Sequence, residues 1–266
     1  MREREIVVVT GASGRIGTAV VPLLRRNGRE LRLVDTAEPS AAEPGEWRDL
    51  SIDDATGLRD ALSGARAVIH LAGIASEAPW GDLLRVNVDG TRILLEAARD
   101  AGVGAVLLAS SVHAAGFHVP DRVGEAEPLL PRPDTYYGVT KAAMEALGSL
   151  FSDRFGMSIV SARICTFLET PDPGRAAASW LSPGDAARLF EAAIALADGR
   201  HHIVWGVSRN APGWFPLGAG EEIGYRPQDD AMAELHRLGV SVPDPDPTDP
   251  IGGPFTRPDH PIGTRW

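Results

Sequence analysis

The first strand–turn–helix unit constrains the fold more than any other stretch. Ile6-Val7-Val8-Val9 is an unbroken β-branched run, the pattern of a parallel strand buried on both faces. Thr10-Gly11-Ala12-Ser13-Gly14-Arg15-Ile16-Gly17 follows, and then the helical spacing of Ala19, Val20, Leu23 and Leu24. In this Gly-x-x-Gly-x-x-Gly turn, glycine lets the backbone bend tightly and approach a pyrophosphate at the helix N-terminus. A glycine-rich turn alone would say little, but here the flanking strand and helix supply its context.

The rest of the chain alternates in the same way. Leu31-Arg32-Leu33-Val34 reads as a second strand ending in Asp35, eighteen residues past Gly17. An acid there accepts both ribose hydroxyls and repels a 2′-phosphate, which favours NAD over NADP. Arg15, inside the glycine turn, offers a phosphate contact and keeps NADP open. Thr36 to Trp47 reads as a loop. Asp49-Leu50 reads equally as the adenine edge of a cofactor site or as the lead-in to a helix over 53–62. Ala67 to Leu71 reads as a buried strand, and Leu71-Ala72-Gly73 leaves room for a cofactor at its carboxyl end. His70, within that strand, reads as a packed core residue.

A helix over 83–101 carries Asn87, which requires hydrogen-bond partners if it is buried. Ala105 to Ala109 is a further strand, running into Ser110-Ser111-Val112-His113. A hydroxyl at this strand's end either caps the chain or bonds a substrate oxygen. The Pro-rich loop 116–134, with Glu125 and Glu127, is long enough to border a substrate site. Ser158 to Ile164 reads as a strand, and Arg175 lies in a loop that begins at Pro171. Ser182-Pro183 opens a helix with proline at its first turn. Ile203 to Val207 reads as a late strand and 229–238 as a late helix. The tail from Pro243 to Trp266 reads as either a partly ordered arm or a strap around another subunit.

The chemistry concentrates at Thr135-Tyr136-Tyr137-Gly138-Val139-Thr140-Lys141, about 120 residues beyond the glycine turn. Residues four apart share a helix face, so Tyr137 and Lys141 are expected side by side. A free phenol, with a pKa of about 10, is too weak an acid to serve as a base near neutrality. The neighbouring ammonium is expected to pull that pKa down.

Net charge is −10 over 266 residues, with 44% hydrophobic and 23% charged residues. No Lys/Arg cluster of polyanion-binding type occurs, which argues against nucleic acid and anionic membrane as partners. A single cysteine, Cys165, excludes an internal disulfide and suits a reducing cytoplasm. No apolar run reaches membrane-spanning length, and the chain enters its first strand directly from Met1-Arg2-Glu3-Arg4-Glu5, with no signal peptide expected.

Together these features predict an α/β fold, a doubly wound parallel sheet of Rossmann type. The glycine turn, Ser111 and Tyr137-x-x-x-Lys141 resemble the short-chain dehydrogenase/reductase superfamily, in its extended, epimerase-like branch. A closer resemblance, to the uronate dehydrogenases, rests on several further segments: Ser110-Ser111-Val112-His113, Arg163-Ile164, Arg175 with Ser179-Trp180, Val204-Trp205-Gly206-Val207-Ser208, Gly213-Trp214 and Gly224-Tyr225-Arg226-Pro227. It implies a homo-oligomeric, NAD-dependent enzyme that oxidises C1 of glucuronate or galacturonate to the aldarolactone. In that pattern Tyr137 is the base, Lys141 lowers its pKa and bonds the nicotinamide ribose, and Ser111 orients the reacting oxygen. His113 contacts the sugar and Arg175 grips its carboxylate, a task suited to a guanidinium fork.

Cofactor contacts are expected from Gly11, Gly14, Arg15, Ile16, Gly17, Asp35, Asp49, Leu50, Leu71, Ala72, Gly73, Asn87, Ser110, Tyr137, Lys141 and Ile164. Substrate contacts are expected from Ala75, Ser111, Val112, His113, Thr166 and Arg175, and no metal site is expected. The division expected is a cofactor-binding core over 1–165 and a small substrate lobe over 166–266, joined in one unit. This chain departs from the family at Val112, where the pattern has Asn, at Ala75, where it has Ser, and at Thr166, a milder Ser replacement. Losing polar contacts re-aims a sugar site. An epimerase or dehydratase, a reductase of a non-sugar carbonyl, and a non-catalytic NAD sensor are the rival readings.

Overall fold

The structure is a computed structural model that describes residues 5–120, 129–174, 176–211, 213–241 and 246–265. Strand β1 (Ile6–Thr10) leads into helix α1 (Arg15–Arg26), β2 (Glu30–Asp35), β3 (Trp47–Asp49), α2 (Ala55–Leu62) and β4 (Ala65–His70). Next come α3 (Trp80–Leu83), a π-helical turn (Leu84–Asp89), α4 (Gly90–Asp100) and β5 (Ala105–Ser111). A 3-10 turn (Val112–Ala115), α5 (Tyr136–Phe155), β6 (Ser158–Ile164) and β7 (Thr166–Phe167) follow. The chain continues through α6 (Ala176–Ser179), β8 (Trp180–Leu181), α7 (Pro183–Ala195), β9 (His201–Gly206), α8 (Gly218–Glu222), α9 (Ala231–Arg237) and a last 3-10 turn (Gly253–Thr256).

Seven strands form one sheet in the order β3-β2-β1-β4-β5-β6-β9, every neighbouring pair parallel. Residues alternate across it as the pleat requires. Val7, Val9, Leu31, Leu33, Ile69 and Leu107 pack with α1 and α7 on one face. Val8, Val34, Val68, Val106 and Leu108 pack with α2, α4 and α5 on the other. Covered on both faces, the strands read as the continuous apolar runs the sequence shows.

Between β1 and β4 the connections change direction along the sheet, a topological switch point that opens a crevice at the strands' carboxyl ends. Expectation and structure differ in three places. Strand β3 is unexpected: it begins at Trp47, the end of the expected loop, and takes in Asp49, because three residues pair with β2 in register (Leu33↔Trp47, Asp35↔Asp49) with almost no apolar signal of their own. The sheet runs past residue 165: α7 and β9 complete it, and the C-terminal elements share its core through Phe167, Leu181, Ile223 and Tyr225. A third apolar cluster, including Trp205, Val207, Trp214, Phe215 and Ile251, builds the wall beside the crevice. The tail over 246–265 folds against its own chain, with Ile251 N–H donating to the His118 carbonyl at 2.8 Å. Among the described residues no helix is long and apolar enough to cross a membrane.

Candidate active site

A cleft of about 730 Å³ occupies the switch point. One end is the glycine turn. Gly11 has φ +70° and a Cβ there would stand 2.5 Å from the Ala72 nitrogen, while a Cβ on Gly17 would stand 2.5 Å from the Ala12 carbonyl. Only glycine fits both positions. Gly14 caps α1 without a side-chain hydrogen bond, and the helix has no acid in its first turn. Among the described residues its opening N–H groups therefore lack a side-chain acceptor, the arrangement that receives a phosphate. Asp35 closes this end: its Oδ2 accepts the Ser13 N–H at 2.9 Å and its Oδ1 the Ala37 N–H at 3.2 Å. The carboxylate is thereby aimed beside the turn, fitted to a ribose diol. These residues fit a dinucleotide.

The other end holds the reactive side chains. Ser111 terminates β5 and its Oγ accepts the His113 N–H at 3.2 Å, so the capping reading is realised. Its hydroxyl also faces the Tyr137 phenol and works to lower that group's pKa, so both readings apply to the one side chain. Thr135 caps α5 through the Gly138 N–H, which puts Tyr137 in the first turn and Lys141 one turn on, on the same face. Lys141 Nζ lies 5.4 Å from the centre of the Tyr137 ring and donates to the Ala109 carbonyl at 2.7 Å.

Burial lowers the ammonium's pKa to about 8. The phenol departs from expectation: burial pushes it up to about 12, outweighing the Ser111 hydroxyl, and the Asp134 carboxylate adds to the rise. The protein's own groups therefore hold Tyr137 as a protonated phenol, because desolvation of the anion exceeds what an ammonium bonded to a carbonyl returns.

Gly11, Gly14, Arg15, Ile16, Gly17, Asp35, Leu50, Leu71, Ala72, Gly73, Ser110, Tyr137, Lys141 and Ile164 all line the cleft, as do Ala75, Ser111, Val112, His113 and Thr166. Two expected cofactor contacts do not. Asp49 is exposed at the end of β3, and only its neighbour Leu50 reaches the cleft. Asn87 is fully buried beneath it. Its Oδ1 accepts the Ile74 N–H at 2.8 Å, and its amide donates to the Ile74 carbonyl and to Thr140. It therefore shapes the turn after β4 from below.

Val112, although at the cleft's edge, is 3% exposed and packs into the third apolar cluster. Its exchange for Asn is met by packing as much as by the site. The Thr166 hydroxyl is bonded to Ser179 at 2.8 Å, and Ser110 donates to the buried Glu145 carboxylate at 2.6 Å. Arg175, Glu125 and Glu127 lie outside the described residues. Among the described residues no group of three or more His, Cys, Asp or Glu is placed to hold a metal.

Three residues the sequence reading passes over stand here. Asp134, its side chain fully inaccessible, binds His113 Nδ1 at 2.8 Å and so turns Nε2 of that ring away from itself. Phe255, from the tail, lies 4.4 Å from the His113 ring centre. Glu77 accepts the Tyr137 N–H at 2.9 Å. Thr135 and Asp134 carry a local signal, the helix start, whereas the other two are joined to the site only by the fold.

Residues 7–204 match the model of the NAD dependent epimerase/dehydratase family, and the chain belongs to that family. It is 34% identical over 256 residues to a uronate dehydrogenase of Pseudomonas syringae, covering 94% of this chain and 92% of that one. It is 36% identical over 249 residues to an NAD-dependent glucose-6-phosphate dehydrogenase of Haloferax volcanii, covering 85% of this chain and 94% of that one. A mutant uronate dehydrogenase of Agrobacterium tumefaciens, solved in complex with NAD, superposes with a TM-score of 0.88 at 30% identity, covering 99% and 100% of the two chains.

Proposed function

We propose that this protein is an NAD-dependent dehydrogenase that oxidises C1 of a hexuronic acid, glucuronate or galacturonate, to the aldarolactone. The observation that carries the reading is the meeting of Ser111, Tyr137 and Lys141 at one end of a cleft whose other end is the glycine turn and Asp35. The full-length similarity to uronate dehydrogenases supports it. Gly11, Gly14, Gly17 and Asp35 would hold NAD, which supplies the hydride acceptor. Ser111 holds the C1 hydroxyl against Tyr137, which first gives up its own proton, with Lys141 offsetting the charge of the phenolate so formed. The phenolate then takes the C1 hydroxyl proton, becoming a neutral phenol, as the C1–H bond breaks and C1 becomes a carbonyl. His113, held by Asp134, offers Nε2 to a sugar hydroxyl, and Arg175 takes the carboxylate.

In this reading residues 1–165 carry the redox chemistry, and within 166–266 the substrate wall lies outside α7 and β9, which complete the sheet. A homo-oligomer is supported by an exposed apolar stripe, Tyr136, Val139 and Leu150 beside Trp80 and Leu84. A cytoplasmic location is supported by the single cysteine.

The test is NADH formation from NAD and each uronate. Tyr137→Phe is expected to lower turnover by about a thousandfold while NAD still binds, and Arg175→Ala is expected to raise KM for the uronate chiefly. Absence of a rate with both uronates, with NAD bound, would refute the substrate. A second reading, C1 oxidation of a sugar without a carboxylate, is favoured by Ala75 and Val112 and by the similarity to the glucose-6-phosphate enzyme. The same assay with aldoses and aldose phosphates decides between the two.

A further inference from the structure

A buried carboxylate outside the reacting group ties the helix of Tyr137 to the far end of the chain. Glu77 stands on the loop after β4 and is 1% exposed. Its Oε2 accepts the Tyr137 N–H at 2.9 Å, one of the opening helix donors that has no intrahelical acceptor. Its Oε1 accepts the Gly263 N–H at 2.7 Å, from a residue 186 positions later. Each oxygen thus serves a different segment, and a buried carboxylate left with either donor missing would be poorly compensated.

The tail is fitted to this contact. Gly263 adopts φ +74°, and a Cβ there would stand 3.4 Å from the Tyr136 ring. Arg265 reaches Asp82 at 3.3 Å. Earlier in the same segment, Gly252 leaves no room for a Cβ beside the Asp134 carboxylate, and Phe255 packs on the His113 ring. The docked tail therefore touches the two groups that flank Tyr137 and is joined to the Tyr137 N–H through Glu77.

We infer that Glu77 is a positioning residue through which docking of residues 246–265 fixes the first turn of α5 and, with it, the Tyr137 phenol. Helix capping alone accounts for the Tyr137 contact; it does not account for a second oxygen committed to the tail. The kinetic half of the test rests on the proposed function, whereas the exchange half does not.

The test compares full-length wild type, Glu77→Ala and Gly263→Val, the last placing a β-branched residue at a positive φ it disfavours. Amide hydrogen exchange is followed over 134–140, 258–265 and the core strands β1 and β5, and turnover is followed with NAD and galacturonate. Both variants are expected to lose protection at 134–140 and at 258–265 while β1 and β5 stay protected. Turnover should fall about tenfold to a hundredfold, the range in which small misplacements of reacting groups act, with NAD affinity changed less than about twofold.

The double variant is expected to be no worse than the worse single one, since both break one connection. Gly263→Val that frees the tail yet keeps Tyr137 protection and turnover would overturn the inference, and so would additive losses in the double variant. If Glu77→Ala loses protection in β1 and β5 as well, Gly263→Val alone decides. If wild type oxidises no uronate, the functional reading fails and the exchange data still judge the connection.

Discussion

His70 gives the sharpest test of the buried architecture. It is fully inaccessible, with Nδ1 at 2.8 Å from the Thr10 hydroxyl and Nε2 at 3.2 Å from the Thr91 hydroxyl. Thr91 donates its own proton to the Asn87 carbonyl at 2.6 Å, so it accepts from His70, and Nε2 carries the ring proton. Nδ1 then accepts from Thr10, and the neutral ring is fully satisfied. Burial, reinforced by the Lys141 charge, lowers its pKa from 6.5 to about 3.

The unfolded chain binds this proton first, so stability from the neutral ring is complete above the unfolded pKa. It is lost as pH falls from about 6.5 toward 3. Linkage over that interval removes about 2 kcal/mol by pH 5. His70→Gln keeps a donor and an acceptor but does not titrate. Urea unfolding of both proteins, without coenzyme, is expected to show the stability gap between wild type and variant narrowing by about 2 kcal/mol between pH 8 and pH 5. A gap independent of pH would refute the burial argument.

Asp35→Ser removes the charge that repels a 2′-phosphate and also the acceptor for Ser13 and Ala37. It is expected to weaken NAD and to shift the NADP/NAD ratio of kcat/KM toward NADP by about tenfold or more. Arg163→Met strands the Glu145 carboxylate, which is 3% exposed and bonded to Arg163 at 2.8 Å. Loss of about 3–5 kcal/mol in urea unfolding is expected, and Glu145→Gln in the same chain should recover part of it.

Much of the frame is legible because buried parallel strands and the glycine turn carry their signals locally. Asn87 shows the same logic: a polar residue within an apolar helix face predicts partners, and it has them. What escaped has physical reasons. Strand β3 is only three residues long and exists because β2 offers an edge. Glu77 and Gly263, and His113 and Phe255, meet across long stretches of chain, so no local pattern marks them. The phenol's raised pKa escaped because helical spacing reports the neighbouring ammonium but not the burial that outweighs it. Asp134 escaped as a loop acid, although its place beside a helix cap made it legible in principle.

The family match divides the cleft in the same way. The family match ends at residue 204, so it spans the glycine turn, Asp35, Ser111, Tyr137 and Lys141. It stops short of Phe255 and of the tail that Glu77 holds. The matched span thus holds the strand ends and the one helix face that meet in the cleft, positions where a single displaced atom is costly to a reaction. The rest of the cleft wall includes Thr166 and Phe167 of β7 and Phe255 of the folded-back tail. Comparable identity to a uronate and to a glucose-6-phosphate dehydrogenase is then what such a chain should show. The wall that holds His113 and Phe255 stands apart from the glycine turn and Asp35 in the same cleft.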